Sequence, residues 1–232
     1  MRYALQPADS TDGRLFDARR GCELFSQRLV TVGAGERRDG GDESADEVLY
    51  VLAGAGAFEA DGEQLAVGPG AAIFAAAGER WMLSADEELQ LVSVLVHDPE
   101  RAGAPFAVVQ TEDADRGAAT SGRSFLLGAT PAVGCTSVTQ FVGLIPPGRA
   151  PDHFHRYDEV IYVLEGEGTL FVDGKAAPLR PGTCVHLPRT LVHCLSNDGE
   201  REMRVLGVFR PAGSPAEAYY PDGTPAPAPE DG

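Results

Sequence analysis

The sequence predicts an all-β chain built as two tandem barrels, and three observations carry that reading. Short apolar runs alternate with turns, one unit is written twice, and no stretch sustains the 3.6-residue period of a helix over three turns. Glycine (28) and proline (17) together make up about a fifth of the 232 residues, a balance suited to many turns and short elements.

The repeat has a fixed offset of 112 positions. Asp46-Glu47-Val48-Leu49-Tyr50-Val51-Leu52 lines up with Asp158-Glu159-Val160-Ile161-Tyr162-Val163-Leu164, each followed by a Gly-x-Gly turn. The same offset joins Asp61-Gly62 to Asp173-Gly174, Pro69-Gly70 to Pro181-Gly182 and Leu83-Ser84 to Leu195-Ser196. Residues 46–86 and 158–198 share 15 identities in 41 ungapped positions, far above the one in fifteen or twenty expected by chance.

Within each copy, Val48–Leu52 and Val160–Leu164 read as buried strands. Phe58–Ala60 and Leu170–Val172 run into Asp-Gly, a hairpin signal because glycine accepts a positive φ. A further apolar run follows each Pro-Gly, at Ala71–Ala75 and Thr183–Leu187. Strands this short, spaced by turns, predict a sandwich or barrel. The polar, Gly/Ala-rich segment 97–122 contains the joint, so the expected divisions are 1–110, 111–210 and a Pro/Ala-rich acidic tail, 211–232. The tail is too poor in apolar residues to offset its ordering entropy, except where Tyr219 and Tyr220 pin its first part.

Charge and cysteine usage narrow the function classes. Nineteen Lys and Arg against 35 Asp and Glu give a formal charge of −16, which disfavours nucleic acid and anionic membrane as partners. No apolar run approaches the roughly 18 residues needed to span a bilayer, and the N-terminus lacks the apolar core of a secretory signal. Cys22, Cys135, Cys184 and Cys194 show no CxxC spacing and read as reduced thiols, which predicts a cytoplasmic protein.

The chemistry-bearing residues fall in the second copy: His153-x-His155-x3-Glu159, and later His193. Strand alternation places His153 and His155 on one face, and Glu159 shares their parity. Three imidazoles and a carboxylate converging inside a barrel suit one divalent transition metal: iron, manganese, nickel, cobalt or zinc. Positions left open beside such ligands admit a chelating substrate.

The residues Gly148-x4-His153-x-His155-x3-Glu159-x6-Gly166 and Gly182-x5-Pro188-x-Thr190-x2-His193-x3-Asn197 resemble the two cupin motifs. The first spacer is one residue short, and Thr190 stands where the family has glycine. With the duplication, the chain resembles a bicupin of two jelly-roll-like barrels. The resemblance implies metal ligation by His153, His155, Glu159 and His193, and oxygenase, isomerase, decarboxylase or lyase chemistry. In the first copy the offset replaces these ligands with Gly41, Glu43, Glu47 and Trp81, so that barrel reads as a metal-free scaffold that helps form a homodimer.

Further candidates are Tyr157, which shares parity with the ligands and can hydrogen-bond a substrate, and Gln140, on the preceding strand, whose side chain is expected to enter the barrel. Glu159 is both a ligand and a candidate proton acceptor. Arg149 and Arg156 flank the mouth, where they would attract an anionic substrate. His186, opposite Phe74 in the repeat, and Cys194 read as packing residues. The functional expectation is a metal-dependent dioxygenase acting on a small anionic or chelating molecule. The alternatives are the same site working without oxygen, or a non-catalytic binding protein.

Overall fold

The computed structural model describes residues 4–6 and 13–227 and is β-structured throughout, apart from four single 3-10 turns among those residues. The last five residues of the expected tail, 228–232, lie outside them. Each half of the chain forms one large and one small sheet, closed into a jelly-roll barrel. In the first half the large sheet runs Phe106–Gln110, Ala71–Ala75, Ala45–Ala53, Leu89–His97, Phe25–Val32, Arg14–Phe16. The small sheet runs Arg37–Gly40, Trp81–Ala85, Gly56–Ala60, Glu63–Val67.

The second half repeats this order. Its large sheet runs Ala4–Gln6, Cys184–Leu187, Asp158–Glu165, Met203–Arg210, Thr139–Ile145, Ser124–Leu127, Gly117–Ala118. Its small sheet is Gly148–Arg149, His193–Asn197, Gly168–Val172, Lys175–Leu179. Both predicted Asp-Gly hairpins form, with Asp61, Gly62, Asp173 and Gly174 all at positive φ. That is the turn whose twist matches the flanking strands.

Two edges were not legible in the sequence. Phe106–Gln110, inside the segment read as a polar joint, pairs antiparallel with Ala71–Ala75 and covers the edge of the first barrel. At the matching edge of the second barrel, Ala4–Gln6 pairs with Cys184–Leu187 although it lies at the other end of the chain. Covering each edge satisfies backbone groups that would otherwise template unwanted pairing.

Strand alternation sorts most buried apolar side chains into three cores, with a fourth, smaller cluster of Ala119, Phe125, Phe141, Tyr157 and Phe209 in the second half. One face of the first barrel's strands closes around Leu49, Phe58, Ile73, Trp81 and Leu91. The corresponding face of the second closes around Val163, Leu170, Val185, Leu195 and Val205. The opposite faces of the two large sheets pack on each other through Val48, Phe74, Val92, Val142, Val160 and Leu206. These strands are buried on both faces, which is why they read as continuous apolar runs rather than as alternation. All four cysteines are buried and free, and among the described residues no helix is long and apolar enough to cross a membrane.

Candidate metal centre

The site is assembled from a strand pair. His153 and His193 form an antiparallel bridge, each backbone N–H donating to the other's carbonyl at 3.0 and 2.8 Å. Residues directly opposite in such a bridge project to the same side, and the two imidazole centroids lie 4.8 Å apart. His155, two residues on, joins that side with centroids 5.0 Å from His153 and 5.2 Å from His193. One ring nitrogen from each of the three lies within 4.8 Å of the other two.

The rings are oriented by backbone carbonyls. Nδ1 of His153 lies 2.9 Å from the Pro151 carbonyl, Nδ1 of His155 2.7 Å from that of Glu217, and Nδ1 of His193 2.8 Å from that of Leu191. A carbonyl oxygen only accepts, so each Nδ1 carries the proton and each Nε2 keeps its lone pair. This is the outer shell that metal-binding imidazoles use. Burial, reinforced by the neighbouring rings, lowers the His193 pKa well below its ordinary value and that of His155 to about 3. Burial lowers His153 as well, so all three are neutral at pH 7.

The cluster opens onto a cavity of about 80 Å³, which Tyr157 and Glu159 also line. Glu159 stands outside the three-histidine cluster but on the same wall. It is 4% exposed, accepts no hydrogen bond among the described residues, and burial raises its pKa to about 8. Beneath it lies Gly207, where a Cβ would come 2.3 Å from the Phe141 ring and 2.9 Å from the Glu159 carboxylate. Three neutral imidazoles with free lone pairs, beside a buried carboxylate that has no partner, fit a divalent cation as donor set. Tyr157 is clamped between the His155 ring at 4.6 Å and the Phe209 ring at 3.9 Å.

Gln140 does not reach the cavity. On Thr139–Ile145 the odd-numbered Phe141, Gly143 and Ile145 face it, and alternation turns Gln140 the other way. Its amide instead donates to the Leu49 carbonyl of the first barrel at 3.3 Å. Arg149 pairs with Asp152 at 2.9 Å and lies over Phe171, while Arg156 lies over Tyr219, so neither lines the cavity. The motif residue Asn197 is a clamp, donating to the Ile145 and Arg201 carbonyls. Thr190 adopts φ +64°, the left-handed conformation that favours glycine, and its N–H donates to the His155 carbonyl at 2.7 Å.

Two walls of the cavity had no signal in the sequence. Ala119, Thr120 and Arg123 come from the connection between barrels, and Pro215 and Ala218 from the tail. Residues 215–220 of the tail form a strap. Tyr219 bridges Phe154 through two backbone hydrogen bonds and stacks on its ring, and the preceding Glu217 carbonyl holds His155. Only the aromatic pair hinted at this, because the Glu217 contribution is a backbone atom that any residue carries.

Residues 141–209 match the cupin domain family. Similar curated proteins include quercetin 2,3-dioxygenase of Bacillus subtilis, 35% identical over 81 residues that make up 31% of this chain and 24% of that protein. L-ectoine synthase of Halomonas elongata is 34% identical over 80 residues, 34% of this chain and 57% of that one. The chain spans between about a quarter and three-fifths of the length of the curated relatives it matches. Among solved structures, protein Ylba from E. coli aligns over 90% of both chains, with TM-score 0.74 and 16% identity. A Bacillus subtilis oxalate decarboxylase variant aligns over 90% of this chain and 78% of its own, with TM-score 0.72 and 13% identity. At such identities these two likenesses speak to the fold alone. With the domain match and the histidine cluster together, residues 141–209 are a cupin domain, and the first half of the chain repeats its jelly-roll architecture.

Proposed function

We propose that the chain is a metal-dependent enzyme of dioxygenase type acting on a small chelating organic molecule. In this reading His153, His155, His193 and Glu159 hold one divalent transition metal, iron(II) or manganese(II). The supporting observation is the trio of imidazoles, each clamped through Nδ1, on one wall with a buried carboxylate that has no hydrogen-bond partner. Bound there, such an ion supplies Lewis acidity and, with iron or manganese, redox chemistry toward dioxygen.

The chain's own residues supply the rest. The Nε2 lone pairs and the Glu159 carboxylate present the donor set. Burial favours the protonated form of that carboxyl, so Glu159 holds a proton whenever it is not engaged with a cation. The Tyr157 ring is fixed between two neighbours, which positions its hydroxyl to donate to a substrate oxygen. Phe125, Phe141 and Ile145 keep the surroundings apolar and exclude bulk water, which strengthens every polar interaction inside. Gln140, held at the contact between barrels, has no part in this scheme.

Similarity to a quercetin dioxygenase supports oxygen chemistry. Similarity to L-ectoine synthases, named for a synthesis, favours a second reading: the same centre working without oxygen as isomerase, decarboxylase or lyase. The reading also includes a homodimer, and a reducing, cytoplasmic setting for which the four unpaired buried thiols are the support. An oxygen electrode tests it. Iron- or manganese-loaded protein should consume oxygen with small diketones, catechols or flavonols, and His193→Ala should not. Turnover under nitrogen with no uptake in air would transfer support to the second reading.

A further inference from the structure

Arg123 is a cavity-lining cation that neither the donor set nor the fold absorbs. It precedes Ser124–Leu127, and one Nη donates to the Leu195 carbonyl, on the strand that carries His193. The Cys194 sulfur lies beside it, and among the described residues it forms no ion pair with a carboxylate. Its charge acts on Glu159 and on all three histidines. A guanidinium has five N–H donors in a planar fork, and the Leu195 carbonyl engages one Nη of this one, which leaves donors for a ligand in the cavity.

Charge balance points the same way. Among the described residues Glu159 is the single acidic side chain lining the cavity and Arg123 the single arginine. A divalent cation held there would add to the Arg123 charge, with one carboxylate to offset both. The first barrel shows the contrast: its Arg28 is neutralised by Glu47 at 3.1 Å. Size is the third constraint. A cavity of about 80 Å³ suits a small reacting group.

We propose that Arg123 is the specificity-determining residue of this cavity and that the substrate is a small carboxylate whose charge it reads. This inference rests on the metal-centre reading above and goes beyond it by naming the substrate class. A planar fork of donors suits a carboxylate.

The test uses full-length protein loaded with cobalt(II), and two probes of nearly equal size and shape: pyruvate, an anion, and 2,3-butanedione, its neutral counterpart. Binding is read by calorimetry and by the visible absorption of the cobalt. Arg123→Gln should weaken pyruvate by about 10–100-fold, leave butanedione within about twofold and leave cobalt stoichiometry unchanged. Arg123→Lys, which keeps the charge and loses the fork, should fall between. An unchanged pyruvate-to-butanedione ratio in Arg123→Gln would overturn the proposal while the metal centre stood. A chain that takes up no cobalt would remove the metal centre itself, and this inference with it. If Arg123→Gln does not fold, the wild type and Arg123→Lys decide: no preference for pyruvate in the former, or an undiminished one in the latter, overturns it.

Discussion

Glu47 and Glu159 occupy the same position in the two barrels, and their surroundings could hardly differ more. Glu47 is 2% exposed and fully engaged: Arg28 pairs with it at 3.1 Å and the Ser93 hydroxyl donates to it at 2.5 Å. The sheet registers put Arg28, Ser93 and Leu49 side by side in the first barrel, and Phe141, Gly207 and Ile161 in the second. So a ring and a bare backbone replace the two groups that satisfy Glu47, and Glu159 is left buried without a hydrogen bond. Opposite it stand three histidines; opposite Glu47 stands Trp81, packed against Phe58 in an apolar core. One duplicated scaffold carries a carboxylate satisfied for stability and a carboxylate left open for a ligand.

The largest expected effect separates those two roles. Arg28→Ala should destabilise the protein by about 2 kcal/mol in denaturant melts, a value discounted for the partial exposure of the arginine. Glu159→Gln, measured on metal-free protein, should be neutral or stabilising by about 1 kcal/mol, because it removes a buried carboxylate with no partner. The same variant should lose most of its metal affinity. If Glu159→Gln destabilised the metal-free protein as strongly as Arg28→Ala does, the contrast between the barrels would fail.

The strap sharpens the comparison, because among the described residues no tail residue lines the pocket at Trp81 in the first barrel. Tyr219→Ala removes the stack on Phe154 and the Arg156 contact, and so loosens the Glu217 carbonyl that orients His155. Metal release to a chelator should accelerate by about 10-fold, in line with the loss of an outer-shell partner. An unchanged release rate would make the strap a bystander.

A smaller effect is expected at Thr190. A β-branched residue at φ +64° costs about 1 kcal/mol, so Thr190→Gly should raise stability by up to that amount, less the added freedom of the unfolded chain. In a chain of this size that is a rise in Tm of about 2–4 °C.

The sequence disclosed what is periodic or repeated. The offset of 112 predicted two like barrels, the Asp-Gly pairs predicted both hairpins, and parity predicted that His153, His155, Tyr157 and Glu159 would face one cavity. Gln140 lies at the contact between barrels instead, because nothing in the sequence tells which face of its strand meets the other barrel. Arg123 and the strap were invisible for a different reason. They reach the site through long-range packing, and the Glu217 contribution comes from a main-chain oxygen on which side-chain identity has no bearing.

Metal analysis on protein purified without chelator and then equilibrated with iron(II) or manganese(II) puts the central claim to its most direct test. About one tightly held ion per chain is predicted for the wild type, none for His193→Ala, and no loss for Trp81→Phe in the other barrel. A wild-type chain that binds no ion, or a His193→Ala chain that keeps one with undiminished affinity, would contradict the account.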